Sequence, residues 1–187
     1  MTTKWPVLLS LLGFVLATPQ VAAQTWPAKP LHAIVPFGAG STTDIIPRLV
    51  FEQLSAQIGH GIVVENRTGA GGTIGTSFVA KADPDGYTIL VSSNAHTIAP
   101  ALYPKLSYDV ARDFAAVIPL GATPAVLVVS PAKNFKSLGD LVSAAKAKPG
   151  AITFSSVGVG TATHLSAERF RASAGIDALH IPYRGGA

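Results

Sequence analysis

A chain of 187 residues that is 48% hydrophobic and 13% charged holds enough apolar material for one good core and has no low-complexity tract, which excludes a disordered or fibrous protein. Its formal net charge is +4, but Lys and Arg are scattered singly and form no basic stripe, so nucleic acid is excluded as a partner and an acidic small molecule is mildly favoured. With no cysteine there is no disulfide, no thiolate metal site and no cysteine nucleophile.

The chain opens with Lys4, an apolar run from Val7 to Leu16, the helix-breaking Pro19 and the small-residue site Val21-Ala22-Ala23 before Gln24. That run is too short to span a bilayer, so residues 1–23 are expected to be a secretory signal peptide, cleaved after Ala23 to leave an exported, periplasmic protein. Trp26 to Pro30 is an extended lead-in. Leu31 to Phe37 is a short apolar run of the buried parallel-strand kind, and it runs into Gly38-Ala39-Gly40-Ser41-Thr42-Thr43-Asp44, a small-residue turn that opens a helix.

Such a turn makes an anion site. Free backbone N–H groups and the positive end of the helix dipole converge on it, and Gly38 and Gly40 remove the side chains that would keep a ligand from the backbone. Ser41 and Asp44 have the spacing of a capping box, whereas a cap at Thr43 puts Pro47 in the first turn, where a missing N–H costs little. Pro47 favours Thr43. The third glycine of a dinucleotide fingerprint and the Lys-Ser/Thr pair of a P-loop are both lacking, so no nucleotide is expected; a plain tight turn is the alternative.

The first helix sets Ile46, Val50 and Leu54 on one face, beside Ile45 and Leu49, and stops at Gly59. Ile62 to Glu65 is a second strand. Asn66 to Thr73 is another glycine-rich turn, starting a helix to about Ala82, and its glycines suit close helix–sheet packing as readily as a ligand. Asp83-Pro84-Asp85-Gly86 is turn chemistry before a third strand, Tyr87 to Val91, which ends in Ser92-Ser93-Asn94-Ala95-His96. Strand and helix alternate, which means a right-handed parallel sheet whose ligand site lies beyond the carboxyl ends of its strands. The first loop and residues 92–96 both sit at that edge.

Pro100, Pro104 and Tyr108 punctuate an irregular connection to Phe114. Ala115 to Val129 is almost wholly apolar but broken by Pro119, Gly121 and Pro124, which predicts two strands with a bend crossing into a second lobe. There a helix from Leu138 to Ala147 precedes a strand from Ile152 to Ser155. A third glycine-rich turn, Gly158-Val159-Gly160-Thr161-Ala162-Thr163-His164, opens a helix to about Ala172, and Ala178 to Ile181 is a further strand. Two helix N-termini facing one another across a cleft can hold a small carboxylate by charge-assisted hydrogen bonds, with no proton transfer, cofactor or metal. A hydrolase would need a Gly-x-Ser-x-Gly elbow, which is lacking, and Ser156, His164 and Asp177 have no triad spacing. His96, His164 and His180 are too far apart in sequence for a metal motif. His164, on the first turn after Gly160, is placed to donate to a ligand.

Several stretches together resemble one family: Ile34-Val35-Pro36-Phe37-Gly38-Ala39-Gly40 with Asp44, Val63-Val64-Glu65-Asn66-Arg67 with Gly69-Ala70-Gly71-Gly72, Asp83-Pro84-Asp85-Gly86-Tyr87-Thr88, Pro100-Ala101-Leu102-Tyr103 and His180-Ile181-Pro182-Tyr183. They look like the Bug family, the periplasmic substrate-binding proteins of tripartite tricarboxylate transporters. The resemblance implies an α/β, two-lobed periplasmic-binding fold of type II kind, a small carboxylate in the cleft, inner-membrane transporter subunits as partners, a monomer and no enzyme activity. The lobes would be residues 24–120 and 121–187, the second incomplete in this chain, because the family's return segment beyond His-x-Pro-Tyr is absent. Carried over by motif, the ligand-binding residues are Phe37, Gly38, Ala39, Gly40, Ser41, Thr42 and Asp44 in the first loop. Ser93, Asn94 and His96 follow at the end of the third strand, and Ser156, Gly158, Gly160, Thr161 and His164 in the second-lobe loop. Val157, Val159 and Pro47 depart from the family pattern. A ligand-sensing protein and an exported hydrolase are the competing readings.

Overall fold

The computed structural model of the chain describes residues 25–183; the expected signal peptide and the closing turn at 184–187 lie outside them. The elements are β1 (Leu31–Val35), α1 (Thr42–Ile58), β2 (Ile62–Asn66), α2 (Thr73–Ala80), β3 (Thr88–Leu90), α3 (Ala95–Leu102), α4 (Leu138–Ala147), β4 (Ile152–Ser156), α5 (Ala162–Ala174) and β5 (Ala178–Pro182). Every strand pair is parallel: a three-stranded sheet in the order β2-β1-β3, and a separate pair β4-β5. Strand–helix alternation produces this, because a parallel neighbour needs a crossover between the strands.

β1 is the central strand, with Ala33 opposite both Val64 and Ile89. Four of its five residues are buried, as an apolar run without alternation requires. Ala33, Val35, Phe37, Phe51, Val91 and Ala95 form the core, with Leu54, Ile62, Val64, Ile89 and Leu120 packed against it. All of these belong to the first sheet or to segments lying on it. The second sheet has no comparable centre: α5 buries no residue, and the residues of β4 and β5 are at most half-buried apart from Ser156.

Three expectations need correction. The cap of α1 is Ser41, not Thr43, so Pro47 stands inside the helix and supplies no N–H to the Thr43 carbonyl. Its ring is fully buried, and the helix packs through Asp44, Pro47 and Phe51, a stripe at helical spacing that offsets the missing bond. The face is therefore rotated from the expected one: Ile45 and Leu49 remain 48% and 62% exposed. The irregular connection after β3 begins with α3, a short helix that tolerates Pro100 in its last turn. Finally, the apolar segment 115–129 forms no strand. A strand exists only where a neighbour satisfies its backbone groups, and none of the described strands lies beside it. Val117 and Val128 are left 87% and 83% exposed, and within this segment only Leu120 packs on the core. Among the described residues no helix is long and apolar enough to cross a membrane.

Candidate functional site

The carboxyl ends of β1, β2, β4 and β5 converge on a cleft of about 250 Å³ between the two sheets, lined by Pro36, Phe37, residues 69–72, Tyr103, residues 157–159, Pro182 and Tyr183. This is the edge at which a parallel sheet presents loops and helix N-termini to a ligand. Of the sequence-predicted residues, Phe37 and Gly158 line it; the rest of the first loop, the end of the third strand, and Ser156, Gly160, Thr161 and His164 are not among its lining residues.

The first loop is held by side chains from below. Asn66, the last residue of β2, donates through Nδ2 to the Phe37 carbonyl and to Asp44 Oδ1, each at 2.9 Å. Arg48 Nε reaches the same oxygen at 2.9 Å, and the Gly40 N–H donates to Asp44 Oδ2 at 2.9 Å. Burial alone would raise the Asp44 pKa, but the hydrogen bonds from Gly40, Asn66 and Arg48 outweigh it and hold the carboxyl below its ordinary value. Asp44 is thus an internal carboxylate at the helix N-terminus, and it fixes the loop rather than touching the cleft. The expected capping box does not form: Asp44 takes the Gly40 N–H and not that of Ser41, while Ser41 Oγ makes no cap bond and is buried without a partner among the described residues. The N–H groups of Gly38 and Ala39 have no partner among the described residues either, which leaves them, with those of Thr42 and Thr43 in the first turn, to meet an anion. Gly40 has a φ of +80°, which favours glycine, and a Cβ there would meet no protein atom within 4 Å.

The second glycine-rich turn contributes more than expected. Gly69, Ala70, Gly71 and Gly72 all have positive φ, and for Ala70 this costs about 1–2 kcal/mol. Packing explains part of the run: a Cβ on Gly75 would lie 2.9 Å from Pro36 Cβ, and one on Gly72 would touch Phe37. Gly71 faces the other way, where a Cβ would stand 2.5 Å from the Val159 carbonyl and 2.9 Å from Tyr103 Oη. Gly72 and Gly75 therefore serve helix–sheet packing, whereas Gly71 lies at the close approach of the two sides of the cleft.

At the end of β3, Ser93 Oγ accepts the Ala95 N–H at 3.3 Å and starts α3, with Asn94 exposed at its cap. His96 turns away from the cleft, into contact with Tyr108 and edge-on to Phe114 at 4.8 Å. Burial holds its pKa below the ordinary value, with the Val110 backbone acting in the opposite sense.

In the second sheet's loop, Ser156 is buried and its Oγ accepts the Gly158 N–H at 3.1 Å; Thr161 Oγ1 donates to the Gly158 carbonyl at 2.7 Å. His164 does not present a donor to the cleft. Its Nδ1 accepts the Gly160 N–H at 3.1 Å, Nε2 faces Glu168 at 3.9 Å, and the ring lies on His180 with centroids 4.1 Å apart. Ser156 Oγ and His180 Nε2 lie 2.7 Å apart, but the serine is buried off the cleft and among the described residues His180 donates to no carboxylate that would orient it as a general base. Nor do the described residues hold a group of three His, Asp or Glu side chains able to bind a metal. The arrangement suits binding.

Sequence reasoning found the strand ends but missed Asn66, Gly71, Tyr103 and Tyr183. The two polar residues that close an otherwise apolar strand, Glu65 and Asn66, were the available signal for Asn66; nothing local marks the two tyrosines as neighbours.

Comparison with known proteins identifies the family and the fold. Residues 46–187 match the family described as the tripartite tricarboxylate transporter family receptor. BugT of Bordetella pertussis is 39% identical over 184 residues, covering 95% of this chain and 56% of BugT, so the chain spans about half the length of the curated relatives it matches. Among solved structures, one from R. palustris with adipate superposes with a TM-score of 0.82 at 35% identity, over 86% of this chain and 54% of that one. MatC from Rhodopseudomonas palustris with bound malate gives 0.79 at 30% identity, over 86% and 55%. The periplasmic binding protein BugD gives 0.70 at 31%, over 86% and 54%. These are binding proteins and not enzymes, the two-lobed periplasmic-binding fold is theirs, and the chain covers about half of it. By its family match, this chain belongs to the tripartite tricarboxylate transporter receptor family.

Proposed function

We propose that this protein captures a small carboxylate in the cleft between its sheets and presents it, in the periplasm, to the inner-membrane subunits of a tripartite tricarboxylate-type transporter. The observation that carries the reading is the convergence of four strand ends on the cleft; the N–H groups of Gly38 and Ala39, which follow Phe37 in the chain and have no partner among the described residues, support it. Two solved relatives are structures with adipate and with malate, and this supports dicarboxylates as the first ligands to try. On this reading residues 24–120 and 121–187 are the two lobes, residues 1–23 direct export, the receptor works as a monomer, and no cofactor takes part.

A carboxylate needs little more than oriented donors and a low-dielectric wall. Phe37, Val157, Val159 and Pro182 supply such a wall, and the backbone supplies the donors. A thermal-shift screen of dicarboxylates, tricarboxylates, acidic amino acids and aromatic acids tests the binding, with calorimetry on any compound that raises the midpoint. Stabilisation by dicarboxylates and none by the matching diamides is expected; a screen in which no carboxylate acts would overturn the reading. Uptake by cells carrying the membrane subunits, lost on deleting this gene, tests the transporter partnership.

A further inference from the structure

We propose that the stacked pair His164 and His180 positions the cleft wall formed by residues 157–160 and releases it on protonation, so that the wall keeps its geometry only while both rings are neutral. Its consequence for a ligand rests on the binding reading above. The latch itself can be tested without any ligand.

The wall has little side-chain mass of its own. Gly158 and Gly160 have φ of +134° and +80°, and the loop is fixed by three acceptors drawn from β4 and α5. Ser156 Oγ takes the Gly158 N–H, Thr163 Oγ1 takes the Val157 N–H at 3.3 Å, and His164 Nδ1 takes the Gly160 N–H. A histidine nitrogen accepts only through its lone pair, so this contact requires a neutral His164 with its proton on Nε2. His180 lies flat on His164, with 19° between the ring planes, and on Phe154 at 4.9 Å; it shares its Nε2 with Ser156. One titratable ring therefore holds Gly160, and the other holds the serine that holds Gly158.

A proton on His164 Nδ1 would set a donor against the Gly160 N–H, and two cationic rings 4.1 Å apart repel. Among the described residues the charged groups around the pair are few. Glu168 Oε1 favours a cation from 3.9 Å, but Glu168 is already engaged by Arg171 Nε and Nη2 at 3.0 and 2.8 Å. Burial holds the His180 pKa below its ordinary value, with His164 pushing the same way and Glu168 against. A pKa lowered in the folded state means that the contribution is present above the ordinary histidine value near 6.5 and is lost as pH falls below it. The released segment is the one that meets the first sheet's side of the cleft. The Val159 carbonyl abuts Gly71, and Gly160 packs so closely on α3 that a Cβ would stand 2.7 Å from Leu102 Cδ1.

Hydrogen exchange of the whole chain, read amide by amide and corrected for intrinsic chemistry, tests this. Protection at Gly160 should fall about tenfold from roughly pH 8 to roughly pH 5, as expected for one lost hydrogen bond, while that of Ala33 and Val35 stays level as a reporter of the fold. His164→Asn places an oxygen where Nδ1 stands and does not titrate, so Gly160 should remain protected at both pH values. His164→Phe keeps the stack but removes the acceptor, so protection should be low throughout. A wild-type Gly160 whose protection ignores pH, or a His164→Asn variant that keeps the wild-type pH dependence with the core reporters unchanged, would overturn the proposal. Failure of malate to bind at any pH would count against the binding reading and leave this one standing.

Discussion

Gly71→Ala probes how closely the two sides of the cleft approach each other. The added Cβ would lie 2.5 Å from the Val159 carbonyl oxygen, so the wall must retreat by about 0.5 Å to reach even 3.0 Å, and a backbone oxygen has no rotamer with which to give way. The substitution also places alanine at a φ of +63°, which by itself costs about 1–2 kcal/mol. Gly59→Ala separates the two effects: its φ is +70°, but nothing lies within 4 Å of the added methyl, and it sits at the far end of α1. In denaturant titration Gly59→Ala should lose about 1–2 kcal/mol of stability from its φ alone, and Gly71→Ala should lose more because the clash adds to the same cost. Only Gly71→Ala should weaken malate or adipate binding, by about tenfold if the displaced wall forfeits one hydrogen-bond equivalent of roughly 1.4 kcal/mol. Gly160→Ala gives an intermediate test, because the atom it meets is the tip of the half-exposed Leu102 side chain, which can move aside. Calorimetry that finds equal affinities in Gly59→Ala and Gly71→Ala would refute the view that Gly71 sets the width of the cleft.

Two further outcomes follow from the energetics. Asp44→Asn should cost about 1–3 kcal/mol, since it removes the charge that Gly40, Arg48 and Asn66 converge on; because the folded-state pKa of Asp44 is lowered, its contribution is present above the ordinary value of 3.8 and lost as pH falls below it, so the gap between wild type and variant should close in acid. Urea melts at about pH 7 and about pH 3 would check this. Hydrogen exchange should be slow in β1 and its neighbours and faster in β4, β5 and α5, because the buried cluster belongs to the first sheet while α5 buries no residue; equal protection throughout a monomer would contradict that.

The strand–turn–helix order was legible because each unit carries its own local signals: the apolar run of β1, the αL glycine closing α1, the turn chemistry before β3. What the sequence could not resolve depends on tertiary partners. Ser41 against Thr43 as the cap of α1 is decided by burial of the Pro47 ring, not by helix chemistry near the cap. The apolar run at 115–129 has strand composition but no strand beside it. At the candidate site, several side chains expected to face a ligand instead hold the loops together. Asp44, Ser156 and His164 are the polar groups a reader expects to face a ligand, and each is spent on holding backbone N–H groups in place. Gly71 and Tyr103 are brought to the cleft only by the meeting of the two sheets.

The central claim, that the cleft takes a small carboxylate on backbone donors, is tested most directly by titrating the ¹⁵N-labelled protein with malate and with adipate and following each amide. Saturable shifts are expected at Gly38, Ala39, Gly71 and residues 157–159, with little change at Gly59 or Gly175. Shifts confined to other surfaces, or none at all at millimolar ligand in a folded protein, would contradict it.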